Sequence, residues 1–229
     1  ITGNVGAVTA SIEAAVSIGG KHVVDKLLLP NVHEQVIPAI NEATGVVKLK
    51  DLGVMEFFSV ATGIVAADAM VKAAEVKLLL SKTVCPGKYI VLITGNVGAV
   101  TASIEAGVQI GGQHVVDKLL LPNVHEQVIP AINEATGVSQ LKDLGVMEFF
   151  SIATGIVAAD AAAKAADVQL IEVRMGVGVG GKSFVTLTGD VSAVKNAVEA
   201  GVNISLETGM LVNSEVISGP SKDLLQYLL

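Results

Sequence analysis

The stretch "DLGVMEFFSVATGIVAADA", Asp51–Ala69, returns 92 residues later (143 − 51) as "DLGVMEFFSIATGIVAADA", Asp143–Ala161, with one difference. Reading it settles the architecture. The opening "LGVMEFFS" is a short apolar run of strand character. After it, Val60, Ile64, Ala67, Val71 and Ala74 advance by fours and threes, which places them on one face of a helix. "EVKLLLSK", Glu75–Lys82, is again short and strand-like. Strand, helix, strand make one half-unit.

A second kind of half-unit follows. "KYIVLITG", Lys88–Gly95, reads as a strand, "NVGAVTASIEAGVQIGG", Asn96–Gly112, as a helix, and "HVVDKLLLP", His114–Pro122, as a strand. Val97, Val100, Ile104 and Val108 form the helix face, with Asn96 as N-cap and Gly111-Gly112 as the stop. The tail "NVHEQVIPAINEA" comes after it. Copies of this half begin at Ile1, at Ile93 and, diverged, at Leu187 as "LTGDVSAVKNAVEAGV".

The two halves together predict an α/β (α+β) sheet of split βαβ type with helices on one face, the ferredoxin-like arrangement. One domain is expected over 51–138 and another over 143–229. Each is of roughly 85–90 residues, large enough for its own core. Residues 1–46 are then an extra partial copy of the second half. That half can also pair with the half that follows it, as in a circular permutation, and would compete with 93–138 for one position. A period this long is tandem domain duplication rather than a solenoid. Ile1 falls in what the later copy makes the middle of a strand, so it is not expected to be a natural start.

Composition narrows the function. The 229 residues carry a dispersed net charge of −7 and no basic face for nucleic acid. Charged residues are only 16%, which points to a dense core or large subunit interfaces. No apolar run approaches the ~20 residues of a membrane span. A lone cysteine excludes an internal disulfide framework, and with no signal peptide in view a cytoplasmic setting is expected.

That cysteine, Cys85, lies in "SKTVCPGKY", Ser81–Tyr89. A thiolate on a turn is a soft ligand for iron-sulfur or zinc, yet one per chain is too few unless symmetry mates converge. Three mates on a threefold axis would leave one metal corner for water or another ligand. Lys82 and Lys88 would favour the thiolate, and Pro86 and Gly87 would keep the turn tight. A small inert thiol packing like alanine is the alternative. The matching turn in the second repeat, "RMGVGVGGK", Arg174–Lys182, is two residues longer and has no cysteine. It reads as a flexible loop of Gly176, Gly178, Gly180 and Gly181. Its glycine spacing is that of a dinucleotide fingerprint, but it joins two strands and opens no helix for a pyrophosphate.

His22, His33, His114 and His125 come in repeat-related pairs without the spacing of zinc ligands, and read as solvated or interface residues. Glu56, Asp68 and Glu105 read as surface or edge carboxylates. No arrangement suggests an active site, so the chain is not expected to be an enzyme.

Several of these segments are distinctive. "GVMEFFSVATGIVAADAMVKAAEVKLL" followed by "GKYIVLITGNVGAVTASIEAG" resembles the bacterial microcompartment shell domain, with its signature at Ala66–Ala74 and again at Ala158–Ala166. Two such domains in one chain are similar to the tandem shell proteins, whose trimers mimic hexamers and tile into a polyhedral shell. The Cys turn is similar to that of the tandem shell proteins of the propanediol-utilisation type.

The resemblance implies that Cys85 from three subunits holds an iron-sulfur cluster, of 4Fe-4S type and one per trimer, for electron transport across the shell. Lys82, Thr83, Val84, Pro86, Gly87, Gly176, Gly178, Gly180 and Gly181 would line the cluster or pore. Lys72 and Lys164 fall on the tile edge. The implied partners are copies of the chain, other shell proteins and enclosed redox enzymes, with neither nucleic acid nor membrane. Two other readings stay open: a metal-free tile whose pore is gated by 176–181, and a ferredoxin-like trimeric small-molecule sensor. Asn123 after Pro122, and Ser221-Lys222 after Pro220, depart from the arginine common in the family, so edge contacts could differ.

Overall fold

A computed structural model describes residues 4–20, 23, 26–32, 36, 51–134, 136–206 and 208–228. The expected strand at residues 1–3, as well as His22 and His33, lie outside the described residues. The first repeat runs β1 (Asp51–Phe57), α2 (Val60–Ala73), β2 (Lys77–Val84), β3 (Lys88–Gly95), α3 (Val97–Gly111) and β4 (Val115–Leu121). Ahead of it stands α1 (Val5–Gly19), and after it a short α4 (Val128–Ile132). The second repeat is β5 (Asp143–Phe149), α5 (Ile152–Ala165), β6 (Val168–Met175), β7 (Ser183–Gly189), α6 (Val191–Leu206) and β8 (Leu211–Ile217).

Each repeat forms a four-stranded sheet, ordered β2-β3-β1-β4 and β6-β7-β5-β8. In the second, β5 pairs antiparallel with both β7 and β8, and β6 pairs antiparallel with β7. This is the order the split βαβ reading requires, with the two crossover helices of each repeat packed together, α2 on α3 and α5 on α6.

Local chemistry sets the helix ends. Ser59 and Asn96 accept hydrogen bonds from the N–H groups of Thr62 and Ala99, and Ser151 does the same for Thr154. Gly112 ends α3 with φ 49°, a conformation cheap only for glycine. In the first repeat the core gathers Leu52, Met55, Phe57, Met70, Ile90 and Leu92, all fully buried. Gly107 lets α3 approach closely, because a Cβ there would meet Met55 Sδ and lie 2.9 Å from Met70 Cγ.

By backbone proximity the chain divides into two compact units. One comprises Ile1–Val47, Gly53–Thr83 and Gly87–Lys118; the other comprises Lys48–Leu52, Val84–Pro86 and Leu119–Leu229. The tip of the Cys turn therefore groups with the second repeat.

Candidate functional site

The β2–β3 turn carries Cys85, and β2 delivers it. Val84, the last strand residue, is buried, while Pro86 and Gly87 are exposed. Cys85 is a free thiol and half-buried. Gly87 has φ 83°, so it supplies the left-handed step the turn needs. Lys82 is half-buried and Thr83 exposed on the strand leading in.

The glycine loop between β6 and β7 lies against this turn, within the same compact unit. A Cβ on Gly181 would lie 2.9 Å from the Cys85 carbonyl oxygen and 3.1 Å from Pro86 Cδ. One on Gly176 would lie 2.9 Å from Val84 Cβ. Side chains are excluded at both positions. The loop between β6 and β7 is closed by backbone hydrogen bonds. Gly176 N–H donates to Lys182 O at 2.9 Å, Val177 N–H to Met175 O at 2.8 Å, and Lys182 N–H to Val179 O at 3.2 Å. Gly176, Gly178, Gly180 and Gly181 all have positive φ. Four left-handed glycines let the backbone fold back on itself in these tight turns.

Lys88 does not stand free beside the thiol. Its ammonium holds Glu56 Oε1 at 2.8 Å across the sheet, with both side chains largely buried. The pair recurs as Lys182 on Glu148. Glu56 and Asp68 were expected at the surface and are instead buried. A carboxylate leaves water only where a cation meets it, and Lys72 lies 2.6 Å from Asp68 Oδ2. Lys164 repeats that at 2.7 Å from Asp160. Glu105 is exposed as expected. Lys72 and Lys164 are thus anchored by their own helices while staying about two-fifths exposed, at 41% each.

Among the described residues, no group of three or more His, Cys, Asp and Glu side chains could hold a metal. His114 lies beside β4, its carbonyl accepting from Phe58 N–H at 2.8 Å, and the His125 backbone N–H donates to Asp160 Oδ1 at 2.7 Å. Cys85 belongs to no such group. The residue is partly exposed on the β2–β3 turn, with Gly181 close to its carbonyl.

Sequence reasoning missed Gln127. Its amide clamps the edge of β6, donating to Val168 O at 3.0 Å and accepting from Leu170 N–H at 2.8 Å. The signal was its place in a tail repeated unchanged at Gln35. No described helix is long and apolar enough to cross a membrane.

The BMC domain family matches residues 51–124 and 143–220. The chain is 42% identical over 178 residues to the bacterial microcompartment shell protein PduT of Citrobacter freundii, covering 78% of this chain and 97% of that protein. It is 35% identical over 103 residues to carboxysome shell protein CsoS1 of Prochlorococcus marinus strain SARG, covering 44% of this chain and 96% of that protein. A crystal structure of a microcompartment protein from Desulfitobacterium hafniense DCB superposes with TM-score 0.75 at 54% identity, covering 78% of this chain and 99% of that one. Doubled sheets of 4-1-3-2 order and these matches agree, and the chain belongs to the BMC-domain family as a tandem shell protein of bacterial microcompartments.

Proposed function

We propose that three copies of this chain close into a flat ring of six shell domains, and that Cys85 from each copy binds one iron-sulfur cluster on the threefold axis. The observation that carries this reading is the half-exposed free thiol at the tip of the β2–β3 turn, seated against a glycine loop that keeps side chains away. A single soft donor per chain calls for symmetry to complete the site, and a trimer supplies three.

When bound, such a cluster supplies one-electron chemistry. The chain's own part would be to hold the Cys85 turn: Gly176 and Gly181 keep the two loops in close contact, Gly87 turns the chain, and Lys88 and Lys182 are retained by Glu56 and Glu148. The role fits electron transport through a shell wall, with enclosed redox enzymes as partners. Lys72 and Lys164 would then lie where one tile meets the next.

The test is iron and acid-labile sulfide analysis of anaerobically purified protein, with its visible spectrum. The expected result is about four irons per three chains, lost in Cys85→Ser without loss of the trimer. Colourless, iron-free wild-type trimers would overturn the cluster assignment and leave the tile intact.

A further inference from the structure

Over Asp51–Ala69 and its copy the two repeats differ at one residue, Val60 against Ile152. The change adds a single carbon, Cδ1, and that carbon has a place. Ile152 opens α5 and is 1% exposed, whereas Val60 at the same position of α2 is only half-buried. A Cβ on Gly176 would lie 3.1 Å from Ile152 Cδ1 and 2.9 Å from Val84 Cβ. The methyl, the backbone of the glycine loop and Val84 therefore meet at one point. Val84 is buried and is the residue before Cys85.

Ile152 is itself held. Ser151 caps α5 by accepting from Thr154 N–H, and its carbonyl accepts from Ser183 Oγ of β7 at 2.8 Å. On the other flank of the thiol, Gly181 N–H donates to Gly176 O at 3.4 Å, and a Cβ on Gly181 would lie 2.9 Å from Cys85 O. The glycine loop thus grips the turn on both sides of the sulfur. Lacking a side chain, Gly176 cannot fill the space beneath Val84 by itself, and a gap there would forfeit packing contacts. The first repeat has no such loop and keeps valine at this position.

We propose that Ile152 is a positioning residue for Cys85: its δ-methyl is the floor on which Val84 and Gly176 rest, and it fixes how the thiol projects from the β2–β3 turn. What that projection serves rests on the cluster reading above, in which three thiols converge on one centre. Such a site tolerates little play in its donors.

The experiment compares the full chain with Ile152→Val and with Ile171→Val, which takes one methyl from a separate cluster with Val138 and Leu144. The rate of Cys85 modification by a neutral thiol reagent is read on iron-free protein, alongside thermal unfolding. Both variants are expected to melt earlier. Only Ile152→Val should label faster, by about two- to tenfold, as lost packing becomes local opening of the turn. An unchanged rate in Ile152→Val overturns the positioning role. An equal rise in Ile171→Val overturns it too, because general loosening of the repeat then explains both. Iron analysis of the wild type decides the cluster reading separately, since the labelling needs no metal.

Discussion

Gly107 of α3 lies so close to Met70 that a Cβ would come within 2.9 Å of Met70 Cγ, besides meeting Met55 Sδ. The equivalent position of α1 is Ala15. That methyl disfavours the extra half-unit in the seat that α3 occupies, and the chain's local β2–β3 connection favours α3 as well. Gly107→Ala is therefore expected to destabilise the first repeat by about 1–3 kcal/mol, the cost of overpacking a filled core. Ala15→Gly, in a helix that buries nothing, should leave the unfolding of that repeat unchanged. Chemical denaturation of the full chain distinguishes the two.

Tyr89 is buried in the first repeat, and Ser81 donates to its oxygen at 2.9 Å. Burial raises its pKa above the ordinary 10.0, the Ser81 hydrogen bond opposing in part. The phenol ionises by losing its proton, so a raised folded-state value means the native state holds that proton more tightly than the unfolded chain. The stabilisation is complete below pH 10 and is lost as the pH climbs through the raised value. Tyr89→Phe should remove that alkaline sensitivity, read as a flatter dependence of melting temperature on pH above 10.

The sequence disclosed what is local or periodic. Asn96, Gly112 and the α2 face were legible because caps and helical spacing act within a few residues. Burial of Asp68 was legible in principle through Lys72 one turn on. Glu56 was not, because its partner Lys88 lies on another strand and a carboxylate without a visible cation reads as surface. The Cys85 turn and the glycine loop were each recognisable, but their contact spans about ninety residues and depends on how strands from two repeats end. Glycine abundance marked the loop, but not that four of its glycines take positive φ.

The Glu56–Lys88 pair is mostly withdrawn from water, with 6% and 18% of the side chains exposed. Lys88→Ala would leave a buried carboxylate without its cation and is expected to cost about 3–5 kcal/mol near neutral pH. Lys142 and Asp190 lie 3.0 Å apart but are both widely exposed, so Asp190→Asn should cause no resolvable change in melting temperature. Thermal unfolding of the two variants side by side tests the contrast.

Gly178 and Gly181 share the left-handed conformation, with φ 72° and 84°, but only Gly181 faces a neighbour. Gly178→Ala then incurs backbone strain alone, about 1–2 kcal/mol. Gly181→Ala incurs the same strain and also drives a methyl to 2.9 Å from the Cys85 carbonyl, which displaces the turn. The expected outcome is a larger loss of stability in Gly181→Ala, together with an altered rate of Cys85 modification by a thiol reagent. Gly178→Ala should leave that rate at the wild-type value. Equal labelling rates in all three proteins would mean that the glycine loop does not position the thiol.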